Sequence, residues 1–130
     1  MPAPVPIVFF DLAGPDMAGL AAFYEAVFGW SIARGTPFPG ASAIAPLPVA
    51  AALPGTLRKT DAADDPQFRK VIYLGVDDVS AALTQVVAHG GAIVAPRFEV
   101  KGVVVLGLFK DPAGNVVGLV ELAHGKPKVP

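Results

Sequence analysis

A chain of 130 residues with no break in composition fits one domain, long enough to bury a sizeable core. Hydrophobic residues make up 53% and mean hydropathy is +0.56, yet no run approaches the roughly 18 uninterrupted apolar residues of a membrane helix. A net charge of −1 with ten scattered Lys and Arg gives no basic stripe for nucleic acid, and zero cysteines exclude disulfides and thiolate chemistry. The opening Met1-Pro2-Ala3-Pro4 has no positive stretch followed by a long apolar run, so a cytoplasmic location is expected, with neither membrane nor nucleic acid as partner. Apolar excess in a domain this small points instead to a subunit interface or an apolar pocket.

Pro6 to Leu12 reads as a strand ended by Gly14-Pro15, and Asp16 stands where a helix cap belongs. Leu20, Phe23, Tyr24 and Val27 recur at helical spacing, which predicts a helix over Met17–Phe28 with one buried stripe and Gly29 as its stop. Trp30 to Ala33 returns as a strand. Ala41 to Leu47 and Val49 to Leu53 follow as two short strands, with prolines that suit sheet edges. Arg58 to Phe68 is polar and reads as a solvated linker.

The same order then recurs. Arg69 to Val76 is a strand and Asp78 a cap; Val79–His89 is a helix burying Val79, Ala82, Leu83, Val86 and Val87, and Gly90-Gly91 stops it. Ala92 to Ala95 is a strand, after which Arg97 falls on a loop. Val103–Phe109 and Val116–Leu122 form a hairpin across Asp111-Pro112-Ala113-Gly114-Asn115, and Gly125–Pro130 reads as a frayed end. Sixty-two residues separate the two modules: Leu12/Leu74, Asp16/Asp78, Ala26/Ala88 and Gly29/Gly91 coincide at that offset, on a strand end, a helix cap and helix stops. The boundaries expected are module one at 5–57, a linker at 58–68, module two at 69–123 and a tail at 124–130, all in one domain.

Phe23-Tyr24-Glu25-Ala26-Val27-Phe28-Gly29-Trp30, Tyr73-Leu74-Gly75-Val76-Asp77-Asp78-Val79 and Phe109-Lys110-Asp111-Pro112-Ala113-Gly114-Asn115 resemble, in that order, motifs of the vicinal oxygen chelate superfamily. That superfamily includes glyoxalase I, extradiol dioxygenases, fosfomycin-resistance enzymes and bleomycin-resistance proteins. The resemblance covers about residues 5 to 122. It implies an α+β fold of two βαβββ modules, an incomplete barrel with a U-shaped cleft, and a homodimer. In metal-using members a ligand sits on the first strand of each module and another on the last. Carried onto this chain, the first-strand positions are Phe9 and Val71, and the last strand of module two offers Gly118. Module one's last strand is expected between Gly35 and Thr56, an interval without Asp, Glu, His or Cys. Zinc, iron and manganese need imidazole, carboxylate or thiolate, so the resemblance arrives without its metal, and no cofactor is expected.

The two histidines do not restore a metal site. His89 ends a helix, where an imidazolium meets free carbonyls, and His124 lies in the tail. Asp11 shares the strand face of Phe9 and is the one candidate catalytic group. It fits a general base, an anchor for a cationic or hydroxylated ligand, a partner for a nearby arginine, or a plain strand-end aspartate. Tyr73 is its counterpart at the sixty-two-residue offset and fits either a polar group opposite Asp11 or a core tyrosine. The expected ligand-binding positions are therefore Phe9, Asp11, Val71, Tyr73 and Gly118, around a small hydrophobic or aromatic molecule. Two other functions stay open: a glyoxalase-class lyase or dioxygenase with unconventional ligands, and an interaction domain with a degenerate cleft.

Overall fold

Local sequence chemistry places both helices. In the computed structural model, which describes residues 3–46, 48, 52–61, 63 and 65–130, α1 runs Met17–Phe28 and α2 runs Val79–Ala88. Asp16 Oδ1 accepts from the Gly19 amide at 2.9 Å, and Asp78 Oδ1 accepts from the Ala81 amide at 2.9 Å. Each carboxylate satisfies an otherwise free donor at the positive end of its helix. Gly29 closes α1 in the left-handed region at φ 68°. In module two the left-handed residue is Gly90, at φ 96°. Gly91 has a different task, because a Cβ there would come within 2.8 Å of the Lys110 carbonyl. None of the helices among the described residues is long and apolar enough to cross a membrane.

Two compact units emerge: Phe9–Val71, and Ile72–Pro130 together with the described N-terminal residues up to Val8. In the first, β1 (Ile7–Gly14) is followed by α1, β2 (Ile32–Arg34), β3 (Ala41–Ile44) and β4 (Gly55–Lys59). Its strands lie in the order β2-β3-β4-β1, with β1 parallel to β4 and the other neighbours antiparallel. The other unit runs β5 (Lys70–Val76), α2, β6 (Ala92–Val100), β7 (Val104–Lys110), β8 (Val116–Ala123) and β9 (Lys126–Pro127). Its order is β5-β8-β7-β6, with β5 parallel to β8 and β9 added antiparallel to β8. Each module is thus βαβββ, as expected, and the fold class is α+β. Within the unit of Ile72–Pro130, the Pro6 carbonyl accepts from the Gly75 amide; within that of Phe9–Val71, the Ala13 amide donates to the Arg69 carbonyl.

The cores are equivalent in detail. Ala21, Ile44 and Leu57 are buried at the centre of module one, with Phe10, Leu12, Leu20, Tyr24 and Trp30 packed around them. Tyr24 stacks on Trp30 with centroids 4.5 Å apart, and Phe10 meets Trp30 edge-on at 5.8 Å. Val79, Leu83 and Leu119 occupy the same role in module two. Leu57 and Leu119 are themselves sixty-two residues apart, so the repeat reaches the centre of each core.

Several expected details change. The last strand of module one is Gly55–Lys59, beyond the expected Val49–Leu53, of which 49–51 lie outside the described residues together with Leu47. That strand also runs past the expected module end at 57 into the supposed linker. The helix stripe is only half buried: Phe23 and Val27 are 52% and 57% exposed, and Val87 in α2 is 52% exposed. Small Ala21 makes the close contact with the sheet, which leaves bulkier neighbours at the margin. Strand β6 continues through Pro96 by way of two register shifts, so Arg97 lies on a strand and not on a loop. The tail is held as well: Lys128 donates to the Glu121 carbonyl at 2.9 Å and Gly102 to the Pro130 carbonyl at 3.2 Å.

Candidate functional site

In module one, Phe10, Leu12 and Leu57 point toward α1, so strand alternation puts Phe9, Asp11, Ala13, Thr56 and Arg58 on the opposite face. Asp11 and Thr56 are direct partners in the parallel register. Thr56 Oγ1 donates to Asp11 Oδ1 at 2.8 Å, and Arg58 Nε donates to Asp11 Oδ2 at 3.1 Å. The same guanidinium donates through Nη2 to the Phe68 carbonyl at 2.8 Å. Asp11 is therefore the arginine-paired carboxylate, one of the roles its position allowed, and it is buried. Burial pushes its pKa above the ordinary aspartate value; the Arg58 charge and the Thr56 and Arg58 hydrogen bonds oppose that rise without cancelling it. With the native value raised, the contribution of Asp11 is full at low pH and is lost as pH rises through that value. Ionised Asp11 thus costs stability at neutral pH, and carboxylates kept under such conditions concentrate at functional sites.

Module two carries a different set. Leu74, Val76 and Leu119 turn toward α2, so Tyr73 and Gly118 share the other face and are direct register partners. The Tyr73 ring lies flat over Gly118: a Cβ at 118 would fall inside the van der Waals envelope of the ring carbons. Phe10 covers Gly55 in module one in a similar way, at 2.5 Å from such a Cβ, but on the helix side. Glu121, unrecognised in the sequence, is a buried hub on the α2 side. Its Oε2 accepts from the Val79 amide at 3.0 Å and from Arg97 Nε at 3.1 Å. Its Oε1 accepts from Arg97 Nη2 at 2.9 Å and Lys128 Nζ at 3.5 Å. Led by the Arg97 hydrogen bonds, these donors hold the carboxyl down at about 2. Glu121 ties the start of α2 to β6 and the tail, a structural role.

The sixty-two-residue offset that carries Phe9 to Val71 also carries Gly118 back to Thr56. Register agrees, because Thr56 opposes Asp11 as Gly118 opposes Tyr73. The four positions at which the family resemblance places metal ligands are thus Phe9, Thr56, Val71 and Gly118. They do not fit a divalent ion: two are hydrocarbon, one has no side chain, and the Thr56 hydroxyl is committed to Asp11. Among the described residues, no group of three or more His, Cys, Asp or Glu is arranged to hold a metal. His89 ends α2 with Nδ1 2.9 Å from the Gln85 carbonyl, and His124 sits at φ 54° in the turn between β8 and β9. Asp111 gathers the Ala113 and Asn115 amides at 2.9 Å each, which confirms the closing turn as backbone geometry.

Residues 7–119 match the profile of the Glyoxalase/Bleomycin resistance protein/Dioxygenase superfamily. The chain belongs to that superfamily. CFP32 of Mycobacterium bovis, which bears a provisional glyoxylase name, is 30% identical over 126 residues, covering 84% of this chain and 42% of CFP32. The anthracycline biosynthesis protein DnrV of Streptomyces peucetius is 29% identical over 126 residues, covering 86% of this chain and 45% of DnrV. The chain therefore spans less than half the length of these curated relatives. Methylmalonyl-CoA epimerase from Mycobacterium tuberculosis superposes with a TM-score of 0.66 at 16% identity, over 95% of this chain and 93% of the epimerase. At that identity the likeness is one of fold. Superfamily membership and fold stand together, and the residues that would distinguish one superfamily chemistry from another are those just described.

Proposed function

We propose that this chain is a small-molecule-binding member of the superfamily that receives a hydrophobic or aromatic ligand without a divalent metal. The observation that carries this reading is the content of the four expected ligand positions, Phe9, Thr56, Val71 and Gly118, together with the Tyr73 ring that takes the room a side chain at 118 would need. In module one the polar groups on this face, Asp11, Thr56 and Arg58, share it with Phe9, Ala13 and Ala43. Apolar walls with a small number of fixed polar groups are the usual composition of a small-molecule site. The name of one relative, anthracycline biosynthesis protein, supports a small-molecule ligand.

A thermal-shift screen against aromatic metabolites and an anthracycline, run with and without EDTA, tests the reading. Stabilisation of several degrees by at least one compound, unchanged by the chelator, is the expected result. Stabilisation abolished by EDTA, or no stabilisation by any compound, overturns it.

A further inference from the structure

Arg58 has more hydrogen-bonding capacity than its structural role consumes. A guanidinium carries five N–H donors. The Nε donor goes to Asp11 and one Nη2 donor to the Phe68 carbonyl. Those two contacts sit at separate points of the planar group and hold it in one orientation. Among the described residues Nη1 has no acceptor, and the side chain is 37% exposed while its partner Asp11 is buried. Neighbouring β3 offers nothing that would block it, because the register partners of Arg58 and Thr56 are Ala41 and Ala43.

We propose that Arg58 is the anion anchor of the ligand site and that the ligand is an aromatic or apolar carboxylic acid. The inference rests on the reading of this face as ligand-receiving and specifies what is received. A guanidinium fixed at Nε and Nη2 presents its remaining N–H groups in a plane suited to the two oxygens of a carboxylate. Orientation is already set by Asp11 and Phe68, so little side-chain freedom is lost when the acid docks. Net charge selects among anions. Asp11 and Arg58 together are neutral, which admits a single negative charge and disfavours a dianion beside the Asp11 carboxylate. The rest of the ligand meets Phe9, Ala13 and Ala43, which share the face.

Calorimetric titration of the full chain with 2-naphthoate, 2-naphthamide and 2-naphthyl phosphate tests this, alongside Arg58→Met and Asp11→Asn. Naphthoate is expected to bind the unaltered chain about tenfold or more tightly than naphthamide, and more tightly than the phosphate. Arg58→Met is expected to remove that preference, so that naphthoate and naphthamide bind the variant alike. Asp11→Asn is expected to hold or strengthen naphthoate binding, because it leaves the guanidinium charge uncompensated. These opposite signs separate an anion anchor from misfolding, which would weaken both variants. Equal binding of acid and amide by the unaltered chain overturns the anchor and leaves the apolar binding function intact. Failure of all three probes to bind at millimolar concentration overturns both. Loss of naphthoate binding in Asp11→Asn, with Arg58→Met unaffected, also overturns the anchor and moves recognition to the carboxylate.

Discussion

Replacing Glu121 with glutamine is expected to lower the thermal midpoint by about 6 to 15 °C at pH 7. Four donors converge on this buried carboxylate: the Val79 amide, two nitrogens of Arg97 and the Lys128 ammonium. Glutamine keeps the shape but loses the charge and turns one acceptor into a donor that faces donors. Removing one partner of such an arrangement costs about 3 kcal/mol when it is fully buried. Arg97 remains partly exposed, so about 2 to 3 kcal/mol is the expected cost here. For a chain near this length each kcal/mol moves the midpoint by about 3 to 5 °C. The effect carries a pH signature. Glu121 is held at about 2 against an ordinary 4.5, so its contribution is complete above 4.5 and is lost as pH falls toward 2. Urea midpoints of the two proteins should differ clearly at pH 7 and converge near pH 2. A gap that persists at pH 2 would show that the charge is not what stabilises.

Gly118→Ala is expected to be destabilising by about 2 to 3 kcal/mol, although it adds one methyl group on a strand that otherwise favours side chains. The cost arises from Tyr73, whose ring already fills the space in which the new Cβ must sit. The test is a double-mutant cycle. In a Tyr73→Ala background the same change should cost less than about 1 kcal/mol, a coupling of about 2 kcal/mol between register partners. An equal cost in both backgrounds would place the strain elsewhere in β8. This pair also explains why the metal positions cannot be read as a simple loss of one carboxylate. A glutamate at 118 would have to displace Tyr73 first.

The sequence legibly specifies what short-range chemistry decides. Asp16, Asp78 and Gly29 act within one helical turn of their own positions, and each does what its residue type predicts. Strand alternation likewise places Asp11 on the face of Phe9 without knowledge of the third dimension. Long-range pairing is where legibility ends. Arg58 sits beside Lys59 and a run of aspartates, a local pattern that matches a solvated loop. Its real partner is Asp11, forty-seven residues earlier in the chain. Thr56 was recoverable, because the offset between modules leads to it from Gly118, but only once β4 is known to run Gly55–Lys59. Arg97 and Glu121 are hidden for a related reason: Pro96 resembles a strand end, and only the register shifts in β6 carry the arginine to the glutamate. Helical periodicity groups Leu20, Phe23, Tyr24 and Val27 on one side, yet it cannot say which part of that side meets the sheet. Small Ala21 decides that, by allowing close approach at its own position.

Elemental analysis of the purified chain, made before and after dialysis against EDTA and paired with naphthoate titration, tests the central claim most directly. The account predicts no stoichiometric zinc, nickel, iron or manganese, and the same naphthoate affinity in both samples. Close to one metal ion per chain, removed by EDTA together with ligand binding, would contradict it.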